Sequence, residues 1–163
     1  MPGPVPCIAV IGPGREADPR ELAAAEDAGA AIAEAGATLV CGGLGGVMEA
    51  ACRGARSRGG LTVGLLPGDD REDANGWVVL ALPTGLGEAR NALIVRAAGA
   101  VVAIGGGWGT LSEIALALRR GIPVLGVRTW ELGRDGAPVP GVRAVDDAQT
   151  AVGEALRLAG RTR

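Results

Sequence analysis

Short runs that are apolar throughout alternate along this chain with longer, alanine-rich segments whose apolar positions recur at helical spacing. The run 5–11 stops at Gly12-Pro13-Gly14 and predicts a first, central strand. Asp18-Pro19-x-Glu21 then supplies an N-cap, a proline at the first helical position and an acidic third position, predicting a helix to about Ala35 that stops at Gly36. A second strand, 38–41, runs into Gly42-Gly43-Leu44-Gly45-Gly46, and a second helix over 47–57 ends with Arg53, Arg56 and Arg58 near its negative pole. Further strands are predicted over 61–66, 77–82, 100–104 and 122–127, with helices over 86–98 and 110–120. The polar loop 67–76 is the one candidate for a mobile flap. After a loop over 129–141 come a weak strand, 142–145, and a last helix capped by Asp146 or Asp147.

Strands without polar alternation, each followed by a helix, belong in a parallel sheet covered on both faces. The expected architecture is therefore α/β: one doubly wound domain over 1–163, with six or seven parallel strands and no linker or internal repeat. Such sheets bind ligands beyond the carboxyl ends of their strands, where the strand order reverses. The three glycine turns all fall at those ends.

The richest of them is Val101-Val102-Ala103-Ile104-Gly105-Gly106-Gly107-Trp108-Gly109-Thr110-Leu111-Ser112-Glu113. A strand that breaks through glycines into a helix start lets the backbone approach a guest and points unpaired N–H groups at it. An anion suits that arrangement, and a phosphate on a nucleotide is the expected form of it. Candidate binding positions are Gly105, Gly106, Gly107, Trp108, Gly109 and Thr110, joined by Gly42, Gly43, Gly45 and Gly46 of the second turn and Gly12 of the first. The competing explanation is close strand–helix packing with no ligand.

Two residues could carry chemistry. Thr110-x-x-Glu113 fits a capping box worth about 1 kcal/mol, which would account for both residues. A catalytic Glu113 would instead face the sugar while the phosphate sits on the glycines. Arg90, early in the helix before the fifth strand, is either a solvated helix arginine or a partner for phosphate or Glu113, since cations are disfavoured near a helix N-terminus. Trp108 could stack on a base or cover the turn.

Composition narrows the chemistry. The chain has 163 residues and a net charge of −2, so no general attraction to nucleic acid or anionic membrane is expected. All 16 basic residues are arginine, with no lysine, histidine, tyrosine or phenylalanine. A lysine Schiff base, an imidazole base and a histidine metal site are thereby excluded. Cys7, Cys41 and Cys52 fit neither a disulfide framework nor a metal knuckle and read as reduced core residues. Met1-Pro2-Gly3-Pro4 lacks the basic start of a signal peptide, and no apolar stretch is long enough to span a bilayer, so a cytoplasmic location is expected.

Three motifs in order, Gly42-Gly43-Leu44-Gly45-Gly46-Val47-Met48-Glu49-Ala50, Glu88-Ala89-Arg90-Asn91 and Gly105 through Glu113, resemble the signatures of the Lonely Guy (LOG) superfamily, long labelled possible lysine decarboxylases. The likeness is greatest to its short bacterial branch, which includes molybdenum cofactor carrier-like proteins and is distantly related to the DNA-processing protein A fold. The resemblance implies a Rossmann-like fold and a homo-oligomer, a dimer or a dimer of dimers. It also implies hydrolysis of a nucleoside 5′-monophosphate to free base and ribose 5-phosphate, with Arg90 and Glu113 in the catalytic positions. Its phosphate turn falls on Gly106, Gly107, Gly109 and Thr110. Gly105 stands where the hydrolases carry proline, Arg90 lacks their neighbouring His and Lys, and Val47-Met48-Glu49 replaces Leu-Met-Gly. The alternative is a non-catalytic carrier or sensor of a phosphorylated ligand such as molybdenum cofactor, held as cargo, with no cofactor required for either reading. Lysine decarboxylation is excluded, because its pyridoxal chemistry needs a lysine that the chain lacks.

Overall fold

Strand β1 (Cys7–Ile11) begins two residues later than the apolar run, because Pro4 and Pro6 have no N–H to give to a ladder. It is the middle strand of seven. In this computed structural model, which describes residues 4–160, the chain continues through α1 (Pro19–Glu34), β2 (Thr38–Cys41), α2 (Val47–Ser57), β3 (Thr62–Leu66) and β4 (Leu80–Pro83). It then returns through α3 (Asn91–Ala97), β5 (Ala100–Ile104), α4 (Trp108–Arg119), β6 (Val124–Val127), the short hairpin β7 (Gly133–Arg134) and β8 (Ala137–Pro138), β9 (Val142–Ala144) and α5 (Ala148–Ala159). Met1, Pro2 and Gly3 of the N-terminal stretch lie outside the described residues.

The main sheet has the order β4-β3-β2-β1-β5-β6-β9, with every neighbouring pair parallel. Helices cover both faces, and alternate residues of the central strands serve opposite layers. Ile8, Val10, Val102 and Ile104 pack with α1, α2 and α5. Ala9, Ile11, Val101 and Ala103 pack with α3 and α4. This is a Rossmann-like doubly wound α/β fold. The chain leaves β1 toward β2 and leaves β5 toward β6, so the strand order reverses between two hydrogen-bonded neighbours. Their carboxyl ends splay into a crevice at that point. No helix among the described residues is long and apolar enough to cross a membrane.

Local chemistry explains most boundaries. The Asp18 side chain accepts from the amides of Arg20 and Glu21 at 2.8 and 2.9 Å, and Glu21 returns a bond to Asp18 N–H, completing the capping box. Asp147 caps α5 through the Thr150 amide at 2.7 Å. Where a strand was expected over 77–82, the Asn75 side chain takes the Trp77 amide and holds a turn, so pairing starts only at Leu80. The expected helix 86–98 opens instead as a 3-10 turn, Gly87–Arg90, entered at Gly87 with φ 55°, before α3 begins. The expected flap is tied down: Asn75 donates its backbone and side-chain N–H groups to Gly43 O and Leu44 O, each at 2.8 Å.

Arg53 and Arg58 of the second helix reach across to Glu26 and Glu34 on α1, each at 2.9 Å, rather than serving their own helix terminus. Beneath these exposed pairs the two helices meet through glycine. A Cβ at Gly54 would run into the Glu26 carbonyl, and one at Gly29 into that of Ala51. Gly54→Ala is therefore expected to force the helices apart and cost about 1–3 kcal/mol in urea unfolding. Unchanged stability would show that the helices do not meet as closely as described.

Candidate functional site

The cleft at the β1–β5 reversal point is lined by Gly12, Pro13, Gly14, Glu16, Met48, Arg90, Asn91, Gly107, Trp108, Gly109, Thr110 and Glu113, with a volume of about 320 Å³. Seven of the sequence-predicted residues thus come together: Gly12, Arg90, Gly107, Trp108, Gly109, Thr110 and Glu113. A larger hollow of about 510 Å³ lies between α3 and α4, but aliphatic and arginine side chains line it without a carboxylate or a glycine turn.

Helix α4 starts two residues earlier than Thr110, with Gly107 as N-cap. The predicted Thr110–Glu113 capping box does not form. Thr110 is the third helical residue, and its hydroxyl accepts from Gly107 N–H at 3.4 Å. Glu113 lies one turn further in, 7% exposed, without a hydrogen-bond or ion-pair partner among the described residues. The first helical bond runs from Leu111 N–H to Gly107 O at 3.0 Å. That leaves the amides of Trp108, Gly109 and Thr110 ahead of it with no side chain to cap them. They are the pole of the helix dipole that attracts anions.

The glycines divide into two groups. At Gly12 a Cβ would meet Ile104 O and Val47, at Gly42 the Arg90 guanidinium and Met48, and at Gly43 Leu66. Gly46, with φ 66°, abuts Gly14 O; Gly105 abuts Glu21; and Gly106 abuts the indole of Trp130. These six make room for the protein itself. Gly45 borders an adjoining hollow with Arg15, Met48, Glu49, Asp73 and Asn75. Gly107 has only Pro13 near its Cβ position, and Gly109 has nothing within 4 Å. Glycine in a helix is unfavourable relative to alanine by about 1 kcal/mol, so Gly109 at the second helical position has no internal reason to be there. Its bare edge faces the cleft.

Arg90, only 8% exposed, forms the opposite wall. One guanidinium nitrogen donates to Asn91 Oδ1 and another to Gly42 O at 3.3 Å, while Nε is buried with no partner. Asn91 is a cleft-lining residue absent from the sequence-based candidates. It is buried, orients Arg90, and donates from Nδ2 to Ser112 Oγ at 3.2 Å, joining α3 to α4. Its signal was available: a polar residue directly after Arg90, at the start of a helix whose next residues are apolar. Burial pushes the Glu113 carboxyl up to about 8, with the Arg90 charge pulling the other way. Burial likewise holds the Arg90 guanidinium below its ordinary value, opposed by the charges of Glu113 and Cys41. Arginine remains protonated throughout the ordinary pH range regardless. Trp108, 79% exposed, stands at the rim against Trp130, with ring centroids 5.4 Å apart and planes at 35°.

The arrangement offers three free amides, one largely buried guanidinium, and one carboxyl that burial raises well above its ordinary value. All three favour a negatively charged guest. The chain is 34% identical to the molybdenum cofactor binding protein of Rippkaea orientalis, whose structure superposes with a TM-score of 0.85 over 94% of this chain and 97% of that one. It is 32% identical to the molybdenum cofactor carrier protein of Chlamydomonas reinhardtii, with a TM-score of 0.84 over 96% and 99% of the two chains. An uncharacterized protein of Archaeoglobus fulgidus is 46% identical over 114 residues, 70% of this chain and 74% of the other. The model of the SLOG cluster4 family matches residues 5–152, nearly the whole fold from β1 into α5, and the chain belongs to that family.

Proposed function

We propose that this chain binds a small phosphorylated ligand in the β1–β5 cleft and carries it intact. The observation behind this reading is the first turn of α4: three uncapped amides beside a glycine edge that nothing in the protein fills, in one cleft with a buried arginine. The phosphate would sit on the amides of residues 108–110, and Arg90 would meet it from the far side. Molybdenum cofactor, a pterin ending in a phosphate monoester, is the cargo that the similar carrier and binding proteins named above favour. A nucleoside 5′-monophosphate has the same terminal group.

Hydrolysis of the N-glycosidic bond is the second reading, because Arg90 and Glu113 share one cleft. The similarity to the carrier and binding proteins named above favours carriage over cleavage. A carboxyl raised to about 8 could give a proton to a leaving base but, while protonated, does not oppose the positive charge that develops on a departing ribose. It also lacks a neighbour that would orient it.

Calorimetric titration with AMP, GMP and ribose 5-phosphate, with chromatography of the same mixtures for free base, tests the assignment. Binding without base release is expected. Base release that disappears in Glu113→Gln would transfer the assignment to hydrolysis. Gly109→Asp separates binding from folding, since the position is open and an acidic residue suits a first helical turn. That variant is expected to melt no lower than the parent yet to lose affinity for each phosphate compound by tenfold or more. Full affinity in the variant would count against the cradle.

A further inference from the structure

We infer that Trp108, propped by Trp130, is the surface on which the flat heteroaromatic ring of the ligand stacks; this rests on the proposed phosphate cradle. The chain has three aromatic residues in all, Trp77, Trp108 and Trp130, and Trp108, which lines this cleft, meets Trp130 behind it. Their arrangement is built. Trp130 is held by its Nε1–H, which donates to Gly107 O at 3.3 Å, and by apolar packing from the α3–α4 side of the core. Gly106 is what admits it: a Cβ there would lie 2.7 Å from Trp130 Nε1. A glycine of the anion turn is thus used to seat an indole behind Trp108, whose own ring stays 79% exposed.

An apolar surface of that size, supported from one side and bare on the other, suits a stacking partner. Trp108 also contributes one of the three free amides, so a phosphate and a ring would be gripped within one residue of each other. Nucleobases and pterins both present such a ring on a phosphorylated frame. Stacking of a base on an aromatic side chain is worth about 1–3 kcal/mol, which corresponds to roughly 5- to 150-fold in affinity.

The test compares AMP and GMP with ribose 5-phosphate, which has the same phosphate and no ring, by calorimetry and tryptophan emission. At least one of the two nucleotides is expected to bind about tenfold or more tighter than ribose 5-phosphate and to alter the emission, which ribose 5-phosphate leaves unchanged. In Trp108→Ala the ratio of nucleotide to ribose 5-phosphate affinity is expected to fall toward one, and in Trp108→Phe to recover most of its value. Ribose 5-phosphate binding with no preference for either nucleotide, or a preference that survives Trp108→Ala, overturns the ring platform while leaving the cradle standing. Failure of all three compounds to bind overturns both.

Discussion

Glu113→Gln is expected to be more stable than the parent by on the order of 5 kcal/mol at pH 9 and nearly equal to it at pH 4.5. The carboxyl is raised by burial to about 8 from an ordinary value of 4.5. Below 4.5 it is protonated in both folded and unfolded chains and contributes no pH dependence. Between 4.5 and 8 the unfolded chain has lost this proton while the folded chain keeps it, so stability falls as pH rises, by about 1.4 kcal/mol per unit. Above 8 the folded protein holds a charge in a wall whose nearest opposite charge is Arg90, and the loss is complete. Glutamine fills nearly the same volume and never ionises, so its stability curve should lack this slope. Urea unfolding of both proteins from pH 4.5 to pH 9 reads the difference directly. Parallel curves would mean that Glu113 ionises in the folded state as an exposed carboxylate does and carries its charge at neutral pH. The same linkage acts on the guest: an anion in the cradle favours the protonated carboxyl, so affinity should weaken as pH passes 8.

The elements legible in the sequence were those whose signals are local. Asp18 with Glu21, and Asp147 with Thr150, announce helix starts through side chains that satisfy nearby amides. The second helix, 47–57, falls where glycine ends on one side and resumes on the other. What was not legible depended on partners distant in the chain. Gly107 caps α4 without a side chain to mark it, and the first residue with capping chemistry is Thr110. That three-residue shift of the cap decides what Glu113 is: at the third helical position it would close a capping box, and at the sixth it has nothing to cap. Glycines posed the same difficulty. Gly12 and Gly109 are equivalent as letters, yet one yields to Ile104 and Val47 and the other to nothing in the chain. No spacing rule distinguishes a glycine that makes room for a neighbour from one that borders open space. Arg90 and Asn91 gained their meaning only when α3 was seated against β2 and α4, across 48 residues to Gly42 and 21 to Ser112.

Arg90→Met is expected to weaken binding of ribose 5-phosphate and of nucleoside monophosphates on the order of a hundredfold. A hydrogen bond from a charged donor contributes about 1.5–3 kcal/mol, and Arg90 is the cation that lines the cleft beside the α4 amides. Methionine keeps most of the aliphatic volume, so packing beside Met48 and Gly42 should hold. Gly42 O and Asn91 Oδ1 lose their donor, which should lower unfolding stability by about 1–3 kcal/mol. Arg90→Lys separates charge from shape. An ammonium at the end of a flexible stem cannot hold the Gly42 carbonyl and the Asn91 amide in one plane as the guanidinium does. If geometry matters, lysine should recover little of the affinity despite retaining the charge. If lysine recovers most of it, Arg90 acts on the phosphate as a general positive field, and its fixed fork serves only the Gly42 turn.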